Sequence, residues 1–289
     1  MLPRQHISGQ DGMMNRVIWM LWLQGEDNAP PVPKACIKSW RHYNPSWDVR
    51  VLDRNNMGDF IDLPGTFGID LDTLPPAAIS DMARLALLHR HGGVWADATC
   101  LCARPLDTWL PTVLDTEKTF ALDRPAPDRL LATYFIAATK GAPLIAAWHE
   151  EVSRLWKTWP AREVSTADQT FKWLKYHSSA QPIVLGNEHF AGPNRLPYFW
   201  AHYLFARLVQ KSPEFAQRFA RVPKVSAKPS LIFSTQGFRR ELHPYTRAAF
   251  QWGLSPLYKL DWREAELGPG PTFAINEKNW PAPGTGFSP

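Results

Sequence analysis

The most informative stretch of the chain, residues 80–99, reads S-D-M-A-R-L-A-L-L-H-R-H-G-G-V-W-A-D-A-T. Its first part predicts a helix in which Asp81 and Arg84 lie three residues apart and therefore share a face. The double glycine that follows predicts a left-handed turn, which ends the helix and reverses the chain. A short apolar strand then leads to Asp97. Two acids and one base gathered at a strand end suit a polar, phosphate-bearing ligand.

Strand and helix patterns alternate through the first half of the chain. The apolar run Val17–Leu23 predicts a buried parallel strand, because it is far shorter than the roughly 20 residues that span a bilayer. The sequence further predicts helices at about 33–43, 76–91 and 145–159, and strands at about 47–51, 94–96, 119–122 and 133–139. This alternation predicts an α/β protein with a mostly parallel central sheet flanked by helices.

The second half of the chain is more helical. Helices are predicted at 198–209 and 213–221, and a short strand is predicted within 224–236. Proline and glycine dominate from residue 268 onward, which predicts an extended tail or a strap over the surface. We therefore expect a flexible N-terminus at 1–14, one domain at 15–267 with a helical portion at about 143–221, and a Pro/Gly-rich tail at 268–289.

The composition is that of a folded, basic protein. Its 289 residues are 45% hydrophobic, which excludes a disordered chain. The net charge of +5 favours anionic partners, such as nucleotide diphosphates, nucleic acid or acidic lipid, although the charge is dispersed. The 14 tryptophans include candidates for stacking on sugars or bases, and most are expected in the core. Three cysteines without metal-ligand spacing favour a reduced, cytoplasmic protein.

The helix, double glycine and strand resemble the corresponding segment of glycosyltransferase family 32, and more closely that of the bacterial capsular polysaccharide synthesis proteins grouped with it. The family pattern is S-D-x-x-R, an apolar run, G-G-hydrophobic-aromatic-x-D and usually a second acid two residues later. Thr99 stands in place of that second acid, as in the D-A-T of many capsular sequences. Further matches lie at Val17–Gly25, Cys36–Pro45 and Ser255–Trp262, so the likeness covers most of residues 15–262.

The resemblance implies a Rossmann-like fold of glycosyltransferase A type with a helical C-terminal subdomain, and a catalytic domain at 15–267. It implies a retaining enzyme that moves a sugar from a nucleotide-sugar donor to a saccharide or lipid-linked acceptor in bacterial surface polysaccharide synthesis, whether of capsule, exopolysaccharide or lipopolysaccharide. Such an enzyme is expected in the cytoplasm, in peripheral contact with the inner face of the membrane, and without a nucleic-acid partner.

The resemblance also assigns roles to five residues. Asp81 and Arg84 match positions that hold the hydroxyls of the donor sugar. Asp97 matches the acid that contacts the donor's ribose, or a divalent cation, Mn²⁺ or Mg²⁺, that bridges the phosphates. Trp22 matches the aromatic residue that stacks on the base, and Lys259 the late lysine that meets the diphosphate. The two aspartates and the arginine are the expected catalytic residues.

Structural alternatives exist for most of these assignments. Asp97 could cap a loop, and Trp22 could belong to the core. Asp81 and Arg84 could form an ion pair of little consequence on a helix surface. Trp19, three residues before Trp22 in the predicted strand, should face the opposite side and lie in the core.

Metal dependence is expected to be weaker than in relatives with two acids. Thr99 offers a neutral hydroxyl where the second carboxylate would stand, and hard divalent cations prefer charged oxygen ligands. Tyr258 replaces a histidine that many relatives carry before the late lysine. Asp97 is therefore the single expected metal ligand.

Three weaker candidates remain. Asp168 and Gln169 resemble an Asp-Gln pair near the reaction centre of other retaining sugar transferases, but T-A-D-Q equally suits the start of a helix. His202 lies in an aromatic stretch, and it could be either a histidine packed in the core or a residue that contacts the acceptor.

Two other functions stay open. The chain could be a non-catalytic carbohydrate-binding protein that uses tryptophans as platforms. A basic nucleic-acid-binding protein is the third interpretation, although clustered Lys and Arg interleaved with aromatic residues are missing. The sequence has no Gly-x-Gly-x-x-Gly, Walker loop, nucleophile elbow or zinc-ligand spacing, which removes most competing enzyme classes.

Overall fold

The computed structural model describes residues 14–114, 116–158, 163–164, 195–236, 241–262 and 268–283. The expected flexible N-terminus, apart from Met14, lies outside these residues, as does the Asp168–Gln169 pair. The division of the chain into domains stays a prediction.

The strands of the described residues, in chain order, are β1 (Val17–Leu21), β2 (Asp48–Leu52), β3 (Gly93–Ala96), β4 (Cys100–Cys102), β5 (Thr119–Ala126), β6 (Arg129–Ala138), β7 (Glu163–Val164), β8 (Arg195–Leu196) and β9 (Leu257–Lys259). The central sheet has the order β2-β1-β3-β6-β5. Strand β1 is parallel to β2 and β3, whereas β6 is antiparallel to its neighbours β3 and β5. All strands of this sheet except β6 therefore run in one direction, which confirms the predicted mostly parallel sheet. Outside it, β4 pairs antiparallel with β9, and β7 pairs parallel with β8.

The helices of the described residues, in chain order, are α1 (Pro31–Tyr43), α2 (Leu63–Phe67), α3 (Pro76–His91), α4 (Leu110–Leu114), α5 (Pro143–Thr158), α6 (Trp200–Lys211), α7 (Pro213–Arg221), α8 (Ile232–Gln236), α9 (Pro244–Gln251) and α10 (Pro269–Ile275). Helices α3, α5 and α6 pack on one side of the sheet, and α1 and α4 pack on the other. This confirms the predicted α/β architecture with helices on both faces. Within the described part of the chain, no helix combines the length and the apolar character needed to cross a membrane.

Strand β1 has no polar face because helices cover both sides of the sheet. Val17, Trp19 and Leu21 pack in the core cluster that contains α3 and α5. Ile18 and Met20 pack in the cluster that contains α1. Alternate residues of a strand point to opposite faces, so two buried faces require the continuous apolar run seen in the sequence.

Two glycines allow the sharp reversal from α3 into β3. Gly92 and Gly93 have φ angles of 67° and 100°, in the left-handed region that favours glycine. A Cβ on Gly93 would lie 2.6 Å from Cγ1 of Val17 and 2.7 Å from the carbonyl oxygen of Val17. The indole Nε1 of Trp19 donates to the carbonyl oxygen of Gly92 at 2.9 Å. The turn is thus packed tightly against β1, and Trp19 is confirmed as a core residue.

Two predictions for the second half of the chain need correction. The short strand expected within 224–236 is instead a 3₁₀ turn at Lys228–Leu231 followed by α8, with one bridge between Ser226 and Asp123. The extended tail expected from residue 268 contains α10. The second error arose because prolines, which suggested an extended tail, stand in the first turn of α10. A proline is tolerated there because its missing N–H would have no intrahelical partner.

The C-terminal segment packs over α1, as the strap alternative predicted. The hydroxyl of Tyr43 donates to the carbonyl oxygen of Pro281 at 2.6 Å. The Trp280 ring lies 6.1 Å from the Tyr43 ring, measured between centroids. At the surface, Lys38 Nζ donates to Glu277 Oε1 at 2.6 Å. The segment therefore covers the outer side of α1.

Replacing Gly93 with alanine should destabilise the fold by roughly 2 to 4 kcal/mol, because a left-handed φ and an overpacked contact each cost about 1 to 3 kcal/mol. The matched control is Gly141→Ala, since Gly141 also has a positive φ, of 75°, but has nothing within 4 Å of an added Cβ. Chemical denaturation of both variants measures the free energies of unfolding. Equal losses would show that the contact with Val17 contributes nothing.

Candidate functional site

The carboxyl ends of β1 and β3 meet at one edge of the sheet because the two strands are parallel. Trp22 comes directly after β1, and Asp97 comes directly after β3. The backbone N–H of Asp97 donates to the carbonyl oxygen of Tyr134 on β6 at 2.9 Å. This bond fixes the aspartate at the edge where open α/β sheets bind their ligands.

The carboxylate of Asp97 accepts hydrogen bonds from three side chains. Its Oδ1 accepts from Arg84 Nη2 at 3.0 Å and from Trp95 Nε1 at 2.9 Å. Its Oδ2 accepts from Lys259 Nζ at 2.7 Å. Trp95 lies two residues earlier on β3, Arg84 and Lys259 belong to other elements, and none of the three donors is a backbone N–H of the following loop. The loop-capping alternative therefore does not describe Asp97.

Arg84 is held between two carboxylates. Its Nη1 donates to Asp81 Oδ1, one turn earlier on α3, and its Nη2 also reaches the hydroxyl of Ser80 at 3.3 Å. Asp81 is 8% exposed and Arg84 is 4% exposed. An ion pair of little consequence would be surrounded by water, so the surface alternative does not describe this pair.

Lys259 reaches the same cluster from the C-terminal part of the chain. Strand β9 pairs with β4 so that Lys259 lies opposite Cys100. The ammonium donates to Asp97 and also to Thr99 Oγ1, at 2.5 Å. Because an ammonium has three N–H groups, these two bonds leave one N–H for a ligand.

These contacts shift the pKa values of the two aspartates in opposite directions. Burial opposes the ionisation of Asp97, but Lys259 and Arg84 outweigh it and hold the pKa of Asp97 well below its ordinary value. Burial raises the pKa of Asp81 to about 6, and Arg84 compensates only in part. Burial alone would lower the pKa of Lys259. Asp97 and the other groups around the ammonium together outweigh this effect, so the pKa of Lys259 is raised. Asp97 and Lys259 are thus both charged at neutral pH.

Two adjoining cavities open at this edge of the sheet. The first, which we call the aromatic cavity, has a volume of about 230 Å³. The second, which we call the polar cavity, has a volume of about 190 Å³. Their walls share Ala77, Ser80, Asp97, Tyr198 and Lys259. The cluster around Asp97 therefore lies at the junction of the two cavities.

Two tryptophans line the aromatic cavity. Trp22 and Trp262 meet edge to face, with ring centroids 5.1 Å apart. Trp262 is 42% exposed. Trp22 is half-buried and packs against the core on one side while it lines the cavity on the other. The core and ligand interpretations of Trp22 are therefore compatible, and a flat aromatic ligand would meet an indole here.

The wall of the polar cavity includes several side chains that can form hydrogen bonds with hydroxyls. Asp81 and Arg84 lie in this wall, as do Thr133 and His202. Thr133 Oγ1 and His202 Nε2 are hydrogen-bonded at 3.1 Å. Burial, together with the charges of Arg129 and Arg84, holds the pKa of His202 well below its ordinary value, so the imidazole is neutral. His202 is at once a packed histidine and a wall residue, and both of its predicted alternatives stay open.

Arg129 adds a second guanidinium to the polar cavity. Its Nε donates to Asp128 Oδ1 at 3.2 Å, and Asp128, which is fully buried, also accepts from the hydroxyl of Tyr203 at 2.7 Å. The guanidinium carbon lies 4.0 Å from the centroid of the Phe199 ring. A buried carboxylate and an aromatic face thus hold this cation in place.

The structure brings together four of the five residues singled out by the resemblance and places the fifth, Trp22, on the wall of the neighbouring cavity. Their individual roles stay predictions. The polar and aromatic wall residues of the polar cavity that no sequence motif indicates are Arg129, Thr133, Tyr134, Tyr198 and Phe199. Trp262 did have a signal, because it ends the S-P-L-Y-K-L-D-W match that contains Lys259.

The residues around Asp97 do not fit a divalent cation. Both oxygens of its carboxylate already accept from N–H groups, and the hydroxyl of Thr99 accepts from Lys259. Tyr258 is buried on the other side of β9 and donates to the backbone of Ala249. In the part of the chain that the structure describes, no group of three or more His, Cys, Asp or Glu side chains could hold a metal ion. A hard cation prefers several free, charged oxygen ligands.

Fungal proteins are among the known relatives of this chain. The glycosyltransferase afumC of Aspergillus fumigatus is 34% identical over 158 residues, which cover 49% of this chain and 40% of that protein. The O-glycosyltransferase braB of Annulohypoxylon truncatum is 31% identical over 157 residues, which cover 48% of this chain and 37% of that protein. The initiation-specific alpha-1,6-mannosyltransferase of Saccharomyces cerevisiae is 23% identical over 184 residues, which cover 58% and 38%. The matched region thus spans less than half the length of these relatives.

A match to capsular polysaccharide synthesis proteins extends over residues 4–164. It includes α3, the double glycine and Asp97, the features on which the resemblance was based. The finer assignment to glycosyltransferase family 32 stays a prediction. Because the match covers more than half of the chain, this protein belongs to the capsular polysaccharide synthesis protein family.

Proposed function

We propose that this protein is a glycosyltransferase that uses a nucleotide-sugar donor. The observation that carries the proposal is the junction of the two cavities, where Asp97 fixes the guanidinium of Arg84 and the ammonium of Lys259. The aromatic cavity on one side suits the flat base of a nucleotide sugar, and the polar cavity on the other side suits the hydroxyls of its sugar. The similarity to fungal glycosyltransferases supports a sugar-transfer reaction.

The donor would extend across both cavities. Its base would lie in the aromatic cavity against Trp22, where stacking on an indole contributes about 1 to 3 kcal/mol for any base. Its diphosphate would lie at the junction, within reach of the remaining N–H of Lys259. Its sugar would lie in the polar cavity, where Asp81 accepts from hydroxyls and Arg84 donates to them.

The proposed reaction retains the anomeric configuration. The bond between the anomeric carbon and the phosphate oxygen breaks, and its electron pair leaves with the diphosphate. The acceptor hydroxyl forms the new bond from the same face, and its proton passes to the departing phosphate oxygen. Negative charge therefore grows on the diphosphate, where Lys259 stabilises it. This route needs no nucleophile from the protein.

We propose a saccharide or lipid-linked acceptor and a role in making a bacterial surface polysaccharide, the process for which the family is named. The proposed location is the cytoplasm, with peripheral contact at the inner face of the membrane. Tyr245 and Trp252, which are 80% and 72% exposed, support such contact. Aromatic side chains of this kind suit the boundary between lipid and water.

A non-catalytic carbohydrate-binding protein is the second candidate, although eight of the twelve tryptophans that the structure describes are too buried to act as platforms. A platform must present its indole face to the ligand. The tryptophans that the structure shows to be buried are Trp19, Trp40, Trp47, Trp95, Trp109, Trp148, Trp156 and Trp200. A binding platform also has no need of a charged cluster at the junction of two cavities.

A screen of nucleotide sugars tests the proposed function. We expect one donor in a panel of UDP-, GDP-, ADP- and dTDP-sugars to raise the thermal unfolding temperature of the protein. The same donor should be hydrolysed slowly when no acceptor is present. A carbohydrate-binding protein would be stabilised by a saccharide and would hydrolyse none of the donors. If no donor stabilised the protein and none was hydrolysed, the proposal of a nucleotide-sugar enzyme would be contradicted.

Asp97→Asn should lower donor turnover by roughly 100-fold or more, because a neutral amide no longer holds Arg84 and Lys259 at the junction. The matched control is Asp107→Asn, which removes the same charge from an exposed ion pair with Arg16, outside both cavities. Steady-state hydrolysis measures turnover, and circular dichroism checks the fold. Turnover close to wild type in the Asp97 variant would show that the site lies elsewhere.

Arg84→Ala and Trp22→Ala should separate sugar contacts from base contacts. Arg84 lines the polar cavity but not the aromatic cavity, so its loss should reduce turnover more than it reduces binding of the free nucleoside diphosphate. Trp22 lines the aromatic cavity but not the polar cavity, so its loss should weaken nucleotide binding by about 1 to 3 kcal/mol. Calorimetry with the nucleoside diphosphate of the active donor measures the second effect. Equal losses of nucleotide affinity in both variants would contradict the division into two compartments.

Donor turnover should fall as the pH drops below about 6, because the pKa of Asp81 is raised to about 6 and its carboxylate is charged above that pH. An ordinary aspartate would stay charged down to about pH 4. Because the folded chain binds this proton more tightly than the unfolded chain, protonation of Asp81 does not itself destabilise the fold. Circular dichroism at each pH checks that protonation of His202 on unfolding, which the lowered pKa of this buried histidine favours, has not unfolded the chain. The measurement is kcat/KM for hydrolysis from pH 4.5 to 8. Asp81→Asn should be less active but lack the inflection near pH 6, and a wild-type profile that is flat down to pH 5 would contradict the assignment.

A further inference from the structure

We propose that the ammonium of Lys259 stands in the place of a divalent cation, so that this chain transfers its sugar without a metal ion. The inference rests on the proposed function, since it concerns how the diphosphate of the donor is neutralised. It follows from the donor set around Asp97, where N–H groups occupy the positions that a metal ion would need.

Neither oxygen of the Asp97 carboxylate is free of an N–H donor. Arg84 and Trp95 donate to Oδ1, and Lys259 donates to Oδ2 at 2.7 Å. A divalent ion bound to Oδ2 would have to displace the ammonium or lie against it. Both are unfavourable, because a carboxylate surrounded by two cations is already compensated and a third cation would be repelled.

Thr99 belongs to the same arrangement. A carboxylate at this position would be the second ligand of a metal ion, but the hydroxyl of Thr99 instead accepts from Lys259 at 2.5 Å. Asp97 and Thr99 therefore form a cradle for the ammonium. A single ammonium can be neutralised by one carboxylate, whereas a divalent ion requires more negative charge around it.

The backbone fixes the ammonium at the point where a diphosphate would cross. Strand β9 is paired with β4, and Lys259 lies opposite Cys100 in that pairing. The side chain belongs to the walls of both cavities. With two of its three N–H groups bonded to the protein, it keeps one to donate to a phosphate oxygen.

The same ammonium serves the bond-breaking step. When the bond between the anomeric carbon and the phosphate oxygen breaks, the electron pair remains on the diphosphate, and the hydrogen bond from Lys259 becomes stronger as that charge grows. The proton of the acceptor hydroxyl ends on the departing phosphate oxygen. The step therefore balances without a metal ion or any further reactant.

Chelator treatment of the wild-type protein is the first test. We expect hydrolysis of the active nucleotide sugar to change by less than twofold after EDTA treatment, and by less than twofold when Mn²⁺ or Mg²⁺ is added back. Titration of the protein alone with Mn²⁺, followed by electron paramagnetic resonance, should reveal no site tighter than millimolar. Loss of turnover in EDTA that Mn²⁺ restores, or a tight Mn²⁺ site in the protein alone, would overturn the proposal.

A pair of variants makes the exchange of ammonium for metal directly measurable. Lys259→Ala should reduce turnover by at least tenfold, whereas the control Lys38→Ala, which removes an exposed ion pair with Glu277, should leave it unchanged. The double variant Lys259→Ala, Thr99→Asp removes the ammonium and supplies the second carboxylate. It should gain a Mn²⁺ site detectable by resonance, and Mn²⁺ should raise its turnover at least fivefold over Lys259→Ala. A double variant that binds no Mn²⁺ would show that Lys259 does not occupy a metal position.

The outcomes separate this inference from the proposed function. If the protein neither binds nor hydrolyses any nucleotide sugar, the proposed function fails. If it hydrolyses a donor only in the presence of Mn²⁺ or Mg²⁺, the function stands and the role of Lys259 as the resident cation fails. The Mn²⁺ titrations of the wild-type protein and the double variant need no substrate, so they decide the nature of the cation site in either case.

Discussion

The candidate site depends on one shared carboxylate. Asp97 is half-buried, with 21% of its side chain exposed, and a carboxylate that loses part of its hydration requires donors that compensate for it. It obtains them from α3, β3 and β9, including Lys259, which lies 162 positions later in the chain. The dependence is mutual, because Arg84 is buried and its charge is balanced by Asp81 and Asp97. Charge compensation, in addition to packing, thus joins the N-terminal sheet to the C-terminal strand.

The place of that carboxylate is set by the residues immediately before it. The left-handed turn at Gly92 and Gly93 brings the chain directly from α3 into β3, close against β1. Only three residues then separate the turn from Asp97. Trp95 lies two residues before Asp97, so the two side chains share a face and the indole reaches the carboxylate at 2.9 Å. A change in the turn would therefore move the acid at the sheet edge as well as the strand.

The sequence predicts the half of the site that lies within one continuous segment. The helix, the turn, the strand and Asp97 are encoded within 20 neighbouring residues, and their spacing reports their geometry. The residues on the opposite wall of the polar cavity are not close together in the sequence, so no local spacing predicts their position. Arg129 and His202 come to this wall because β6 lies beside β3 and α6 packs over the sheet, and neither pairing leaves a short-range pattern. The proline at position 269 misled the assignment of the tail, since a proline marks a break and a helix start equally well.

On the proposed mechanism, Thr99 and Lys259 are a matched pair. Two carboxylates and one divalent ion form a neutral cluster, and so do Asp81 and Asp97 with Arg84 and Lys259. The second arrangement distributes its positive charge, with the guanidinium toward the sugar and the ammonium toward the diphosphate, and the carboxylate of Asp97 holds the two apart. A further acid at position 99 would leave this cluster with an uncompensated negative charge at the point where a diphosphate must bind. A neutral hydroxyl that accepts from the ammonium avoids that repulsion.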